Sequence, residues 1–209
     1  MRTRHDLFDR YLRPLKDRAL APLSRLAGPR ISPNVITGVG FVLGLGSAGA
    51  AYEGGRSLGL MLWLLNRLLD GLDGTQARTH GRSTAFGGYL DIVLDFVVYA
   101  AVPIGLVTGA GSARPLTISA LLMLASFYIN AASWMYLAAI LEQRRQGVSA
   151  TGEATTITMP SGLVGGTETV VFYVAFFLWP SSLTMLFTVM TTLVMLTVLQ
   201  RLAWARRSL

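Results

Sequence analysis

Residues 70–95 of the chain read DGLDGTQARTHGRSTAFGGYLDIVLD, and this stretch decides how the protein is built. It places four carboxylates, Asp70, Asp73, Asp91 and Asp95, within some of the most apolar sequence of the chain. A charge at membrane depth costs at least ~2.5–3.5 kcal/mol on insertion scales, so it normally has a partner or a function. Four charges of one sign cannot neutralise one another, and hard oxygen ligands at this density favour Mg²⁺, Mn²⁺ or Ca²⁺.

The composition around this stretch is that of a membrane protein. The chain has 209 residues, of which 52% are hydrophobic and 14% charged, and its mean hydropathy is +0.51. These values indicate a protein that crosses the membrane several times rather than a soluble domain. Cysteine is absent from the sequence, which excludes disulfides, thiolate catalysis and cysteine-bound zinc. No signal peptide is expected at the N-terminus.

The net charge of +7 does not indicate a nucleic-acid partner, because the basic residues cluster between the hydrophobic segments. Residues 1–30 hold eight Lys or Arg against three Asp, and their apolar residues recur at helical spacing. We predict one or two short amphipathic helices at the membrane surface here, broken near Pro14 and Pro22. The alternative is an ordinary solvated arm.

Six apolar segments follow, and each reaches the ~20 residues that are needed to cross ~30 Å of hydrocarbon. They lie near 34–53, 58–77, 84–109, 115–141, 157–179 and 182–203. The predicted fold is therefore an all-α membrane protein with six transmembrane helices preceded by an amphipathic juxtamembrane helix. We divide the chain into a basic amphipathic juxtamembrane segment over 1–30 and a six-helix membrane domain over 31–209.

An even number of spans puts both termini on one side of the membrane. Fifteen of the 18 Lys and Arg residues fall on that side, and only Arg56 and Arg114 fall on the other, with Arg67 inside the second span. By the positive-inside rule both termini are cytoplasmic, and we expect a multi-pass protein of the cell (inner) membrane. The four aspartates then lie at the cytoplasmic ends of spans two and three.

The spacing of the aspartates predicts a metal site. Asp70 and Asp73 are three residues apart, and Asp91 and Asp95 are four apart, so each pair shares one helix face. Two such pairs on neighbouring antiparallel helices can hold two divalent cations about 3.5–4 Å apart, the arrangement that phosphoryl chemistry uses. A purely structural ion-pair network is the alternative, but Arg67 is the obvious intramembrane counter-charge and cannot satisfy four aspartates.

The same stretch resembles the signature of the CDP-alcohol phosphatidyltransferase family, D-x2-D-G-x2-A-R-x8-G-x3-D-x3-D. The matching residues are Asp70, Asp73, Gly74, Ala77, Arg78, Gly87, Asp91 and Asp95, and every spacing is met. The resemblance implies a six-helix membrane domain, often a homodimer, in which an alcohol hydroxyl attacks the β-phosphorus of a CDP-linked alcohol and CMP leaves. The donor is usually CDP-diacylglycerol, and the product is a phospholipid.

The resemblance also implies roles for individual residues. The four aspartates would hold two Mg²⁺ or Mn²⁺ ions, and Asp95 would also act as the general base. The CDP contacts would be Gly74, Arg78 and Thr84, together with Asn34 and Thr37 of a segment that resembles the family's P-N-x-x-T element. The alternative for Asn34 and Thr37 is a plain helix start after Pro33.

The motif leaves the acceptor alcohol open. Glu168, at the start of a long apolar run, is a candidate acceptor-binding residue. Arg144 and Arg145 are candidates for receiving a phosphorylated acceptor such as glycerol 3-phosphate, although anchoring at the cytoplasmic face is the alternative. The region of span five has no arginine, which weakens an inositol-phosphate acceptor, and we favour glycerol 3-phosphate or another polyol.

Two other functions remain open at this point. A choline- or ethanolamine-type phosphotransferase would use a soluble CDP-alcohol and a lipid acceptor with the same motif. A divalent-cation transporter would also need intramembrane carboxylates, but its site is expected near the bilayer midplane and often between repeated halves. The chain has no evident internal repeat, and its aspartates lie near one surface.

Overall fold

The computed structural model describes residues 19–26, 28–144 and 164–209. Helices make up the regular structure of these residues, and no strand occurs among them. After a helical segment at 19–26, the helices are α1 (Pro33–Tyr52), α2 (Arg56–Thr79), α3 (Ala85–Gly109), α4 (Arg114–Gln143), α5 (Gly166–Leu178) and α6 (Leu183–Ser208), with a 3₁₀ turn at Pro180–Ser182 before α6. The predicted all-α class is confirmed, and the bounds of most helices lie within a few residues of the predicted segments.

Several of these helices are long and apolar enough to cross a membrane. Within the described residues, α1, α3, α4 and the stretch Pro180–Ser208 meet both conditions, and α5 is apolar but shorter, at 13 residues. Helix α2 has 24 residues, but arginines and aspartates interrupt its apolar character. The protein is therefore a multi-pass membrane protein of the all-α class. Residues 157–163 of the predicted fifth span lie outside the described residues.

The segment before α1 is tied to the end of α2. Residues 19–26 are helical, so the break predicted at Pro22 is wrong. Proline lacks a backbone N–H. In the first turn of a helix this loss costs no hydrogen bond, because an N–H there has no carbonyl partner within the helix. Gln76 of α2 accepts a hydrogen bond from Ser24 Oγ at 2.6 Å and donates to the carbonyl oxygens of Gly28 and Ile31. The predicted break at Pro14 lies outside the described residues.

The turn between α2 and α3 sets the two aspartate pairs on neighbouring helices. The N–H of Arg82 donates to the carbonyl of Ala77 and that of Gly81 to the carbonyl of Arg78, which is the Schellman pattern of a helix end. Gly81 has a φ of +62°, a conformation that costs glycine little and other residues more. Thr84 then starts α3, because its Oγ1 accepts a hydrogen bond from the N–H of Gly87.

Helix α3 lies against the backbone of α1. A Cβ atom added at Gly105 would come within 2.3 Å of the carbonyl oxygen of Ala48, and one at Gly109 would meet the carbonyl oxygen of Ala51 at the same distance. Small residues permit this close approach. In lipid there is no hydrophobic driving force between helices, so close van der Waals packing stabilises their contact instead. Helices α1, α2 and α3 thereby form one compact unit that ends at Ala113.

A second compact unit begins at Arg114 and contains α4, α5 and α6. The rings of Phe176 in α5 and Phe187 in α6 pack edge to face with centroids 4.8 Å apart. Arg201 of α6 donates through Nη1 to Asn130 Oδ1 at 2.9 Å and to Ser133 Oγ at 3.3 Å, both on α4. Asn130 and Ser133 therefore join α4 to α6.

Candidate active site

A small open cavity lies between the three helices of the first unit. Thr37, Gly40 and Phe41 come from α1, and Asn66 comes from α2 beside two of the aspartates. The full lining is Thr37, Gly40, Phe41, Asn66, Asp70, Asp73, Asp91, Leu94, Asp95 and Val98. The fold thus brings all four aspartates of the motif to one cavity, with two on each of two neighbouring helices, as their spacing predicted.

Three of the aspartates converge closely. Asp70, Asp91 and Asp95 each offer a carboxylate oxygen, and these oxygens all lie within 4.8 Å of one another. The three residues are partly buried rather than fully exposed. Hard, negatively charged oxygen atoms at this separation fit Mg²⁺ or Mn²⁺, which prefer carboxylate ligands. The donor set therefore fits the predicted divalent cations.

Asp73 lies in the same cavity but is held differently. It is buried, with 5% of its surface exposed, and its Oδ2 accepts a hydrogen bond of 2.6 Å from Thr37 Oγ1. Thr37 also bonds the carbonyl of Pro33 one turn earlier in α1. The hydroxyl predicted to contact CDP thus also fixes the orientation of one predicted metal ligand.

Arg67 forms the main counter-charge to the carboxylates. Its Nη2 lies 2.6 Å from Asp95 Oδ1 and its Nη1 lies 3.1 Å from Asp95 Oδ2, so the pair is bidentate. Nη1 also lies 3.8 Å from Asp70 Oδ2. The expectation that Arg67 is a counter-charge inside the membrane is in agreement with these contacts. Arg67 therefore pairs with two of the four aspartates, Asp70 and Asp95.

The residues that hold Arg67 were not predicted from the sequence. Its Nε donates to Asn66 Oδ1 at 2.8 Å, and its Nη1 donates to Tyr99 Oη at 2.9 Å. The guanidinium carbon lies 4.9 Å from the ring centroid of Trp63 and 5.0 Å from that of Tyr99. The spacing of Trp63 four residues before Arg67, and of Tyr99 four after Asp95, is the signal that would have found them.

Four of the five predicted nucleotide contacts lie in two small groups, and the fifth, Thr37, lines the aspartate cavity. The guanidinium of Arg78 covers Gly74, because a Cβ atom at Gly74 would come within 3.1 Å of Arg78 Nη1. Asn34 and Thr84 meet at Gly87, where an added Cβ would lie 3.1 Å from Asn34 Oδ1 and 3.0 Å from Thr84 Oγ1. Glycine at these two motif positions therefore leaves room beside polar side chains.

The predicted acceptor residues have other contacts where the structure describes them. Glu168 Oε2 accepts a hydrogen bond from the N–H of Gly165 at 2.9 Å, which caps the start of α5. Arg144 is exposed and donates through Nη1 to the carbonyl oxygen of Leu209. Arg145 lies outside the described residues. Neither described residue lies in the unit that carries the aspartates.

Comparison with known proteins gives the family. The family model described as CDP-alcohol phosphatidyltransferase matches residues 30–200. The inner membrane protein YnjF of Escherichia coli is 36% identical over 177 residues, which is 84% of each chain. The archaetidylinositol phosphate synthase of Pyrococcus horikoshii is 31% identical over 102 residues, 47% of this chain and 54% of that protein.

Solved structures agree with this result. The phosphatidylinositol phosphate synthase of Mycobacterium tuberculosis with CDP-DAG bound has a TM-score of 0.69 and 25% identity, covering 89% of this chain and 92% of the other. The same enzyme in complex with manganese and citrate has a TM-score of 0.65 at 24% identity, covering 90% and 87%. With its complete motif, its membrane helices and a family match over residues 30–200, the chain belongs to the CDP-alcohol phosphatidyltransferase family of enzymes.

Proposed function

We propose that this enzyme transfers a phosphatidyl group from CDP-diacylglycerol to an alcohol acceptor and releases CMP. The observation that carries the proposal is the convergence of Asp70, Asp91 and Asp95, whose oxygens lie within 4.8 Å of one another. They do so in a cavity that Asp73 also lines, between helices that carry the complete family motif. A CDP-DAG-bound structure of a relative, 25% identical over most of the chain, supports the choice of donor.

The four aspartates are proposed to hold two divalent cations, Mg²⁺ or Mn²⁺. Cations at such a site neutralise the charge of a diphosphate and polarise a hydroxyl group. Asp70, Asp91 and Asp95 supply the converging oxygens, and Asp73 supplies a fourth carboxylate whose orientation Thr37 fixes. A carboxylate has about four acceptor sites, so Asp73 keeps capacity for a metal ion beside the hydrogen bond from Thr37.

In the proposed reaction, the acceptor oxygen forms a bond to the β-phosphorus while the bond from that phosphorus to the oxygen of CMP breaks. The hydroxyl proton passes to Asp95, the proposed general base. Each oxygen of Asp95 accepts one hydrogen bond from Arg67. A carboxylate oxygen has about two acceptor sites, so capacity for a metal ion and a proton remains.

We propose that five residues contact the CDP moiety. They are Gly74, Arg78, Asn34, Thr37 and Thr84. The guanidinium of Arg78 lies beside Gly74. A guanidinium can bind phosphate oxygens through two parallel hydrogen bonds. Asn34 and Thr84 present polar atoms beside Gly87. A base or ribose can approach the backbone closely at such a position.

For the acceptor we propose glycerol 3-phosphate or another polyol, and two relatives that are named as inositol phosphate lipid synthases support the polyol class. Glu168, Arg144 and Arg145 stay candidates for this role. In the structure Glu168 bonds the N–H of Gly165 and Arg144 bonds the carbonyl oxygen of Leu209.

We further propose the complete membrane arrangement. Six spans follow a juxtamembrane segment over 1–30, α2 crosses the membrane with Asp70 and Asp73 facing the cavity, and both termini lie on the cytoplasmic side of the inner membrane. YnjF is named as an inner membrane protein, which supports the location. A homodimer is proposed from the family resemblance.

The test is CMP release by the purified, reconstituted protein with CDP-diacylglycerol and Mg²⁺ or Mn²⁺. The acceptor panel is glycerol 3-phosphate, inositol, inositol phosphate, serine and choline. We expect release with one acceptor, and a loss of at least ~100-fold in Asp91→Asn and Asp95→Asn, since each replaces a charged ligand by a neutral one. Normal turnover in both variants would contradict the mechanism. Release with CDP-choline or CDP-ethanolamine plus a lipid alcohol instead would show that the donor is soluble.

A further inference from the structure

We infer that Arg67 is the resident counter-cation of the carboxylate cavity, and that its fixed positive charge sets how tightly the enzyme binds its divalent metal ions. The inference rests on the proposed function in one respect, since it takes the aspartate cavity to be a metal site. It adds a role for a residue outside the family motif, whose fixed positions begin at Asp70.

Arg67 is held in place on every side. Its Nε, Nη1 and Nη2 atoms all donate hydrogen bonds, to Asn66, to Tyr99 and to both oxygens of Asp95. Its side chain is only 8% exposed. Asn66 is itself anchored to α1, because its Nδ2 donates to the carbonyl of Gly40 at 2.9 Å. The guanidinium therefore has little freedom to leave the cavity.

Two aromatic rings also favour the charged group at this position. The guanidinium carbon lies within 5.0 Å of the ring centroids of both Trp63 and Tyr99, which is cation–π distance. The two rings meet edge to face with centroids 5.9 Å apart. A ring pair with this geometry stabilises a cation whether or not metal ions are present, so Arg67 keeps its charge in the cavity in both states.

A fixed positive charge among metal ligands has two opposite effects. In the metal-free protein it offsets the mutual repulsion of the carboxylates, since it pairs with Asp95 and approaches Asp70 at 3.8 Å. In the metal-bound protein it repels the incoming cations and competes for the oxygens of Asp95. Coulomb interactions in a partly buried site are weakly screened, so both effects are felt strongly.

The test compares Arg67→Gln and Arg67→Lys with the wild type, using the full-length protein in detergent. Mn²⁺ binding is measured by electron paramagnetic resonance of the free ion, and thermal stability by size-exclusion chromatography after heating. We expect Arg67→Gln to bind Mn²⁺ at least ~tenfold more tightly than the wild type, and Arg67→Lys to lie between them, since lysine keeps the charge and loses the fork. The metal-free Arg67→Gln protein should melt lower, and Mn²⁺ should raise its melting temperature by more.

The matched control is Arg201→Gln, which removes a buried arginine from α6. Arg201 is 6% exposed and bonds Asn130 and Ser133, and within the described residues it has no carboxylate partner. This variant should lose stability without a gain in Mn²⁺ affinity. The comparison separates a charge effect on the metal site from the general cost of losing a buried arginine.

The outcomes distinguish this inference from the proposed function. Weaker or unchanged Mn²⁺ binding in both Arg67 variants, with normal binding by the wild type, would overturn the inference and leave the metal site standing. If Arg67→Gln does not fold, Arg67→Lys decides alone, and binding no tighter than the wild type overturns it. Absence of Mn²⁺ binding by the wild type would overturn the inference, and the proposed function would fall with it only if CMP release were also absent with both Mg²⁺ and Mn²⁺.

Discussion

The hydroxyl of Thr37 in α1 donates a hydrogen bond of 2.6 Å to Oδ2 of Asp73 in α2. Asp73 is the aspartate of the motif that does not join the other three at close distance, and it is buried, with 5% of its surface exposed. A carboxylate with so little contact to water depends on protein donors for its solvation. The first helix thus contributes to a site whose charged residues all come from the next two.

Replacing Thr37 by valine should weaken the metal site. Valine keeps the β-branched shape but removes the donor, and a hydrogen bond to a charged group contributes about 1.5–3 kcal/mol. We expect Thr37→Val to bind Mn²⁺ more weakly and to release CMP about tenfold more slowly or worse. Thr37→Ser restores the donor and should recover most of both. A variant defective only in its KM for the CDP-linked donor would instead assign Thr37 to the nucleotide alone.

Replacing Gly74 by alanine should displace Arg78 without harming the fold. The added methyl group would come within 3.1 Å of Nη1 of Arg78, at the flexible end of that side chain. Alanine otherwise favours a helix interior by about 1 kcal/mol over glycine. We expect an unchanged or higher melting temperature and a KM for CDP-diacylglycerol raised by roughly tenfold, measured by steady-state CMP release.

The control for Gly74→Ala is Gly49→Ala in α1. Apart from the neighbouring backbone of its own helix, no atom of the described residues lies within 4 Å of the position that its Cβ would take. It should alter neither the KM nor the melting temperature beyond the small gain in helix propensity. An equal rise of KM in both variants would argue against a contact between Arg78 and the donor.

Gln76 anchors the segment that precedes α1, and Gln76→Leu should release it. The substitution leaves the Ser24 hydroxyl and the carbonyls of Gly28 and Ile31 without their partner, at a cost of about 1–3 kcal/mol. We expect faster tryptic cleavage at Arg25 and Arg30, measured by mass spectrometry during limited proteolysis. The control is Gln200→Leu, at an exposed position of α6. Trypsin should cleave this variant at Arg25 and Arg30 at the wild-type rate.

The role of Gln76 also illustrates what the sequence could predict. The regular spacing of Asp70, Asp73, Asp91 and Asp95 depends only on helical geometry and a short turn, so their common cavity could be predicted. Gln76 occupies a variable position of the motif, and its partners lie 45 to 52 residues away. Local periodicity carries no information about such pairs.

The structure around Pro22 and around Arg67 was missed for separate reasons. The break predicted at Pro22 relied on the usual effect of proline inside a helix, whereas residues 19–26 are helical. Trp63 and Tyr99 each lie one helical turn from Arg67 or Asp95, but their meeting around the guanidinium depends on the rotation of α2 against α3, which the apolar pattern leaves open. Glu168 stays a candidate acceptor-binding residue, and its carboxylate also caps its own helix.

The close approach of α3 to α1 gives the sharpest prediction on stability. At Gly105 a Cβ atom would come within 2.3 Å of the carbonyl oxygen of Ala48, and backbone atoms cannot turn aside as a side chain can. Gly105→Ala should therefore separate the two helices and cost about 1–3 kcal/mol or more, as overpacking does. Because α3 carries Asp91 and Asp95 while α1 carries Thr37, Mn²⁺ binding should weaken together with stability.

The measurements are the melting temperature by size-exclusion chromatography and the Mn²⁺ affinity. The control is Gly49→Ala in α1, which adds the same methyl group without a clash. A Gly105→Ala protein as stable as Gly49→Ala would mean that α1 and α3 do not approach this closely in the membrane.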